Sequence, residues 1–97
     1  MKRQDALTIL AAHRHEFQQQ FGVKSLALFG SVARDDATEQ SDVDILVEFD
    51  RPIGLFGLFT LQDRLEHLLG CAVDLGTPAS LKPRLRAQVL SERVYVA

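Results

Sequence analysis

A single cysteine, Cys71, stands in 97 residues, so no internal disulfide can form. A reducing cytoplasm is the simplest setting for such a chain. No apolar run approaches the roughly 20 residues that cross a bilayer, so no membrane role is expected. The opening MKRQDALTIL carries two basic residues but no apolar stretch of signal-peptide type. Positive charge is not in excess either: 11 Lys and Arg face 13 Asp and Glu, a formal net charge of −2. That argues against direct nucleic-acid binding through a broad basic face. No repeat, low-complexity tract or Pro/Gly/Ser-rich linker divides the chain. Residues 1–97 are therefore read as a single domain with one modest core.

What is present is an alternation of helical and strand patterns. Leu7, Leu10, Phe17 and Phe21 recur at helical spacing and predict a helix over 4–20, with Gly22 as its stop. KSLALF (24–29) reads as a buried strand. A turn follows at Gly30-Ser31, then a short helical or irregular piece and a polar loop through Gln40. VDILVEF (43–49) is the strongest strand signal: Val43, Ile45, Val47 and Phe49 share one face, and Asp42, Asp44, Leu46 and Glu48 the other. Pro52 and Gly54 break the chain. Leu58, Leu61, Leu65 and Leu68 predict a helix over 55–69 that stops at Gly70. CAVDLG is a short third strand. A last helix is expected over 79–92, with Leu81, Leu85 and Val89 inward, followed by an extended VYV. This order predicts an α/β fold, a small mixed β-sheet flanked by helices. The sheet should be mixed because the 30–42 connection is short for a full crossover helix.

The chemistry concentrates in GSVARDDATEQSDVDILVEF (30–49). Asp42 and Asp44 leave the same face of a strand, with Cβ atoms roughly 6–7 Å apart. Left alone, such carboxylates repel, and one takes up a proton. A hard divalent cation removes the conflict, and Mg²⁺ is commonly held by one or two carboxylates together with substrate phosphates. Asp74 interrupts an otherwise apolar strand, where an aspartate needs a reason. If the third strand pairs beside the second, Asp74 completes a triad able to hold two metals for phosphoryl transfer. Upstream, Gly30 ends a strand, and Ser31 is placed to cap the helical turn that follows. A strand–Gly–helix junction directs backbone N–H groups outward as a phosphate cradle, and glycine lets the phosphate approach closely. Arg34 is a basic candidate beside it.

LFGSVAR, SDVDILVEFD, GLFGLFTLQDRLEHLLG and VDL, in that order, resemble the minimal nucleotidyltransferases of the nucleotidyltransferase superfamily, the MNT-domain proteins of bacteria and archaea. The family pattern of Gly-Ser, Asp-x-Asp and a later acidic residue falls here on Gly30, Ser31, Asp42, Asp44 and Asp74. The resemblance implies the nucleotidyltransferase fold, Mg²⁺ as cofactor with two ions, and ATP as donor. It also implies a HEPN-domain toxin as partner in a hetero-oligomer, with AMP transferred to a tyrosine of that toxin. Asp42, Asp44 and Asp74 would then be catalytic and metal-binding, while Gly30, Ser31 and Arg34 bind the nucleotide. One departure stands out. The residue after GSVAR is often glycine in the family, whereas this chain has Asp35 and then Asp36, both expected on the outer loop.

So short a chain leaves little material to wall in a second substrate, so a partner is expected to position the acceptor. Leu55, Phe56 and Phe59 add apolar area at the start of the 55–69 helix, suiting either an interface or a fully buried helix. Two alternatives to the catalytic antitoxin remain open: an antitoxin that neutralises only by binding, and transfer to a small molecule such as an aminoglycoside. His13 and His15 are read as solvent-facing, and Cys71 as an inert core residue opening a buried strand. Lys82, Arg84 and Arg86 are read as surface cations.

Overall fold

The apolar alternation of residues 43–49 builds β2 (Val43–Phe49), the strand around which the sheet is laid out. The computed structural model describes residues 1–96. β1 (Val23–Phe29) runs antiparallel to β2, and β3 (Val73–Gly76) runs parallel to it. The two-residue β4 (Val94–Tyr95) pairs antiparallel with β1, so the order is β3-β2-β1-β4 and the sheet is mixed, as expected. Because side chains alternate along a strand, each face of this sheet has its own population.

One face is the core. Val43, Ile45 and Val47 of β2 and Leu28 of β1 are fully buried. They pack with Leu10 of α1 (Arg3–Ala12), Phe17 of α2 (Arg14–Phe21), and Leu61 and Leu65 of α4 (Gly54–Leu69). Each such side chain contributes about 1.5–3 kcal/mol on burial. The bidentate pair from Arg64 to Glu16, at 2.8 and 3.0 Å, also ties α4 to α2. Solvent screens that pair and leaves it a minor contribution, so apolar packing decides how the helices dock. The opposite face holds the cross-strand partners Ala27 and Leu46, buried yet outside that core, and next to them Asp44. The 3₁₀ turn over Pro78–Ser80 lies near β2, while α5 (Pro83–Glu92) rests against α3 (Gly30–Ala33), whose Val32 and Ala33 belong to the core, and has no buried residue of its own.

Five expectations need correction. The helix expected over 4–20 is two helices, because His13 leaves helical geometry at φ −110° and ψ 10°. Histidine is a weaker helix former than the alanines before it. Its ring is held by Phe17, with ring centroids 6.4 Å apart, and its Nδ1 lies 3.4 Å from Glu16, so His13 is half-buried rather than solvent-facing. The helix expected over 79–92 is also interrupted. Pro83 cannot continue a helix running into it and biases Lys82 to extended backbone, so Thr77 and Ser80 close their own turn and α5 starts afresh at Pro83. Leu85, expected inward, is 44% exposed. Cys71 is only half-buried and precedes β3 rather than opening it; burial pushes its thiol up, as suits an unreactive cysteine.

Candidate active site

The parallel pairing of β2 with β3 sets Asp44 directly beside Asp74. Both strands are in this register because Val43 and Val73, also direct partners, turn into the core and send the next residue to the other face. Asp42 precedes Asp44 by two and leaves from that same face. The loop delivering it is tight: the Thr38 N–H donates to Ser41 Oγ at 3.0 Å, and the Ser41 N–H to the Thr38 carbonyl at 3.1 Å. The topology thus gathers all three predicted carboxylates at one end of the sheet.

Asp44 is the innermost. Burial, then the charges of Asp74 and Asp42, push its carboxyl up to about 6, and a hydrogen bond with Asp74 adds to the rise. The charge of Arg34 opposes this weakly. Asp42 and Asp74 are exposed. Among the described residues, no three His, Cys, Asp or Glu side chains are drawn closely enough to cage a metal by themselves. Mg²⁺ rarely asks for such a cage; it keeps waters and takes substrate phosphates beside one or two carboxylates. A half-buried carboxylate whose ionisation is opposed by burial and then by its acidic neighbours is one that a hard cation would relieve.

Gly30, just past the end of β1, meets Asp44. Its φ is +69°, in the left-handed region that glycine enters freely. A Cβ at this position would run into the Asp44 carboxylate, its Cγ lying 3.0 Å away and its Oδ2 nearer still. The glycine therefore makes room for a side chain of the site as well as for an approaching phosphate. Ser31 is half-buried inside α3 and does not cap it; the cap residue is Phe29, and the helix begins at Gly30 itself. Arg34 is close to the site but occupied, bonding Asp36 at 3.2 Å and Glu92 of α5 at 3.3 Å. Asp35 takes φ +62°, the one non-glycine residue with positive φ among the described residues. This explains why glycine suits the position. Its carboxylate accepts from the Arg3 N–H at 3.1 Å, so it faces the start of α1, on the outer loop as expected.

Two residues escaped the sequence reading. Gln62 and Glu66 of α4 bond the carbonyl and the N–H of Val73, the residue before Asp74. The signal available was a polar pair four apart on an apolar helix, which also describes an ordinary solvated face. The carboxylate end is open to solvent. A cavity of about 320 Å³ lined by Arg14, Lys24, Ser25 and Tyr95 lies toward the start of β1, whereas Asp44 pairs with Phe29 at its end.

A family profile described as nucleotidyltransferase domain matches residues 10–96. The protein adenylyltransferase MntA of Thermococcus cleftensis is 46% identical over 89 residues, covering 92% of this chain and 90% of the relative. A solved structure described as a candidate minimal nucleotidyltransferase superposes with a TM-score of 0.80 at 37% identity, over 97% of this chain and 95% of that one. A chain from the complex of a tri-AMPylated Shewanella oneidensis HEPN toxin with an MNT antitoxin has a TM-score of 0.65 at 19% identity. It is covered to 71%, against 94% of this chain, and shares the fold.

Proposed function

The chain belongs to the nucleotidyltransferase domain family, and from that premise we propose that residues 1–97 act as one domain transferring AMP from ATP to a protein hydroxyl. The acceptor is a tyrosine of a HEPN-type toxin, and the chain is the antitoxin of a type VII-like pair. The observation that carries this reading is the register of Asp44 beside Asp74, with Asp42 on the same face and Gly30 against Asp44. An identity of 46% to a protein adenylyltransferase over 92% of this chain supports the acceptor class. Solved relatives of the same fold include toxin–antitoxin complexes, one of them with AMP-PNP, which supports the partner and the donor.

Asp42, Asp44 and Asp74 would hold Mg²⁺, with two ions suiting three carboxylates. When bound, the metal stabilises charge on the attacking and leaving oxygens. The backbone at Gly30 and the Ser31 hydroxyl would hold the β and γ phosphates. In the reaction the acceptor oxygen bonds the α-phosphorus, the α–β anhydride breaks and pyrophosphate leaves. Asp74, exposed at the strand end, would complete the site and help activate the acceptor hydroxyl by taking its proton. Arg34, held by Asp36 and Glu92, lends positive charge beside the phosphates without becoming a free ligand. The open carboxylate end leaves the acceptor to be positioned from outside, which contributes several kcal/mol in such reactions and is the toxin's part.

The test is label transfer from ATP labelled at the α-phosphate, with Mg²⁺ and a lysate of the source cells. A labelled protein band is expected with the wild type and at least a hundredfold less with Asp42→Asn/Asp44→Asn. Label that persists in the double variant, or toxin neutralisation that survives it, would sink the catalytic account.

A further inference from the structure

β3 is the outer strand on its side of the sheet and only four residues long. An edge strand leaves every second N–H and C=O without a partner strand. In β3 the two groups of Val73 are taken up by side chains. Gln62 Nε2 donates to the Val73 carbonyl at 3.0 Å, and the Val73 N–H donates to Glu66 Oε2 at 2.9 Å. Gln62 and Glu66 are four apart on α4 and so lie one above the other on a single helix face. Together they do for Val73 what a fifth strand would do. On its inner side the segment is joined to β2, with the Val43 N–H donating to the Ala72 carbonyl at 3.0 Å.

A ladder so short resists slippage poorly, and a slip of one residue would send the Asp74 side chain to the opposite face. We infer that Gln62 and Glu66 are positioning residues for the carboxylate site, gripping β3 from outside so that Asp74 stays opposite Asp44. The inference rests on the carboxylate reading above. It assigns two polar residues of the core helix to the chemistry on the far side of the sheet. Through the Val73 peptide, α4 reaches the site without touching substrate or metal. A charged acceptor on the N–H and an amide donor on the carbonyl also leave no choice of orientation at Val73.

The experiment is calorimetric titration of Mn²⁺ into the full chain, well below its melting temperature, together with hydrogen exchange at the Val73 amide. Gln62→Ala and Glu66→Ala are expected to bind Mn²⁺ about tenfold more weakly, in the range usual for residues that orient metal ligands. The Val73 amide should exchange faster in Glu66→Ala. Glu66→Gln keeps a carbonyl acceptor and should restore near-wild-type affinity, which a loss of general stability would not do. Wild-type Mn²⁺ binding that depends on Asp42 and Asp44 yet is unchanged in both alanine variants would overturn the clamp alone. Mn²⁺ binding indifferent to Asp42→Asn/Asp44→Asn overturns the site reading, and the clamp with it. If Glu66→Ala fails to fold, Gln62→Ala, which removes only the donor, decides.

Discussion

The two faces of this sheet are built from the same strands and obey opposite rules. On the core face, Val43, Ile45, Val47 and Val73 meet the helices and are buried to the last few per cent. On the other face, Asp44 and Asp74 occupy the alternate positions beside Gly30. The first face holds the fold together. The second buries Ala27 and Leu46 but sets like charges side by side, a cost the fold meets with the packing opposite. One short strand can do both because its side chains alternate: any residue that fixes the register for packing also fixes it for the carboxylates.

If the faces divide in this way, substitutions on each should move different observables. The largest effect is expected from Ile45→Ala, which empties a fully buried position on the core face. It should lower unfolding free energy by about 2–5 kcal/mol while the folded fraction binds Mn²⁺ as before. Denaturant unfolding and calorimetry measure the two separately, and a parallel loss of affinity would break the division. Gly30→Ala comes next. An L-residue at φ +69° costs about 1–2 kcal/mol from the backbone alone, and the new methyl group must displace the Asp44 carboxylate. Here Mn²⁺ affinity should fall along with stability. A variant that melts earlier but binds Mn²⁺ normally would show that Asp44 has room to move.

The sequence made the core face more legible than the other. Alternating valine and isoleucine placed β2 and its inward side, and the same period put Asp42 and Asp44 together. The pairing of Asp44 with Asp74 could be stated only as a condition, because strand order is a long-range outcome that no local pattern encodes. Ser31 was misread for a related reason. A serine after glycine suits a helix cap, but the left-handed Gly30 already starts the helix. Leu85 and Val89 looked like an inward stripe, yet Pro83 delays the helix and its surface stays open. The family's glycine after GSVAR became intelligible only once the backbone at Asp35 was seen to be left-handed.

The smallest expected effect sharpens the comparison most, because it asks whether the carboxylate face is a burden on the fold. Asp44 has its carboxyl raised to about 6, chiefly by burial and then by Asp74 and Asp42. Folding therefore favours its protonated form. The stability this contributes is fully present below the ordinary carboxylate range near 4 and is lost as the pH rises through about 6. At pH 7.5 the metal-free chain folds with Asp44 ionised against that preference. Asparagine mimics the neutral carboxyl and can still donate toward Asp74. A shift of this size on a fully buried group corresponds to about 3 kcal/mol. Asp44 is only half-buried, and solvent screening reduces the figure to about 1 kcal/mol. Metal-free Asp44→Asn should thus melt roughly 4–8 °C above the wild type at pH 7.5, and the gap should close below pH 4. Adding Mg²⁺ should raise the wild type and leave the variant behind, because the cation supplies the charge that the fold withholds. An Asp44→Asn chain that melts lower than the wild type at pH 7.5 without metal would mean that the ionised carboxylate has a stabilising partner on this face, and that the two faces do not divide stability from chemistry.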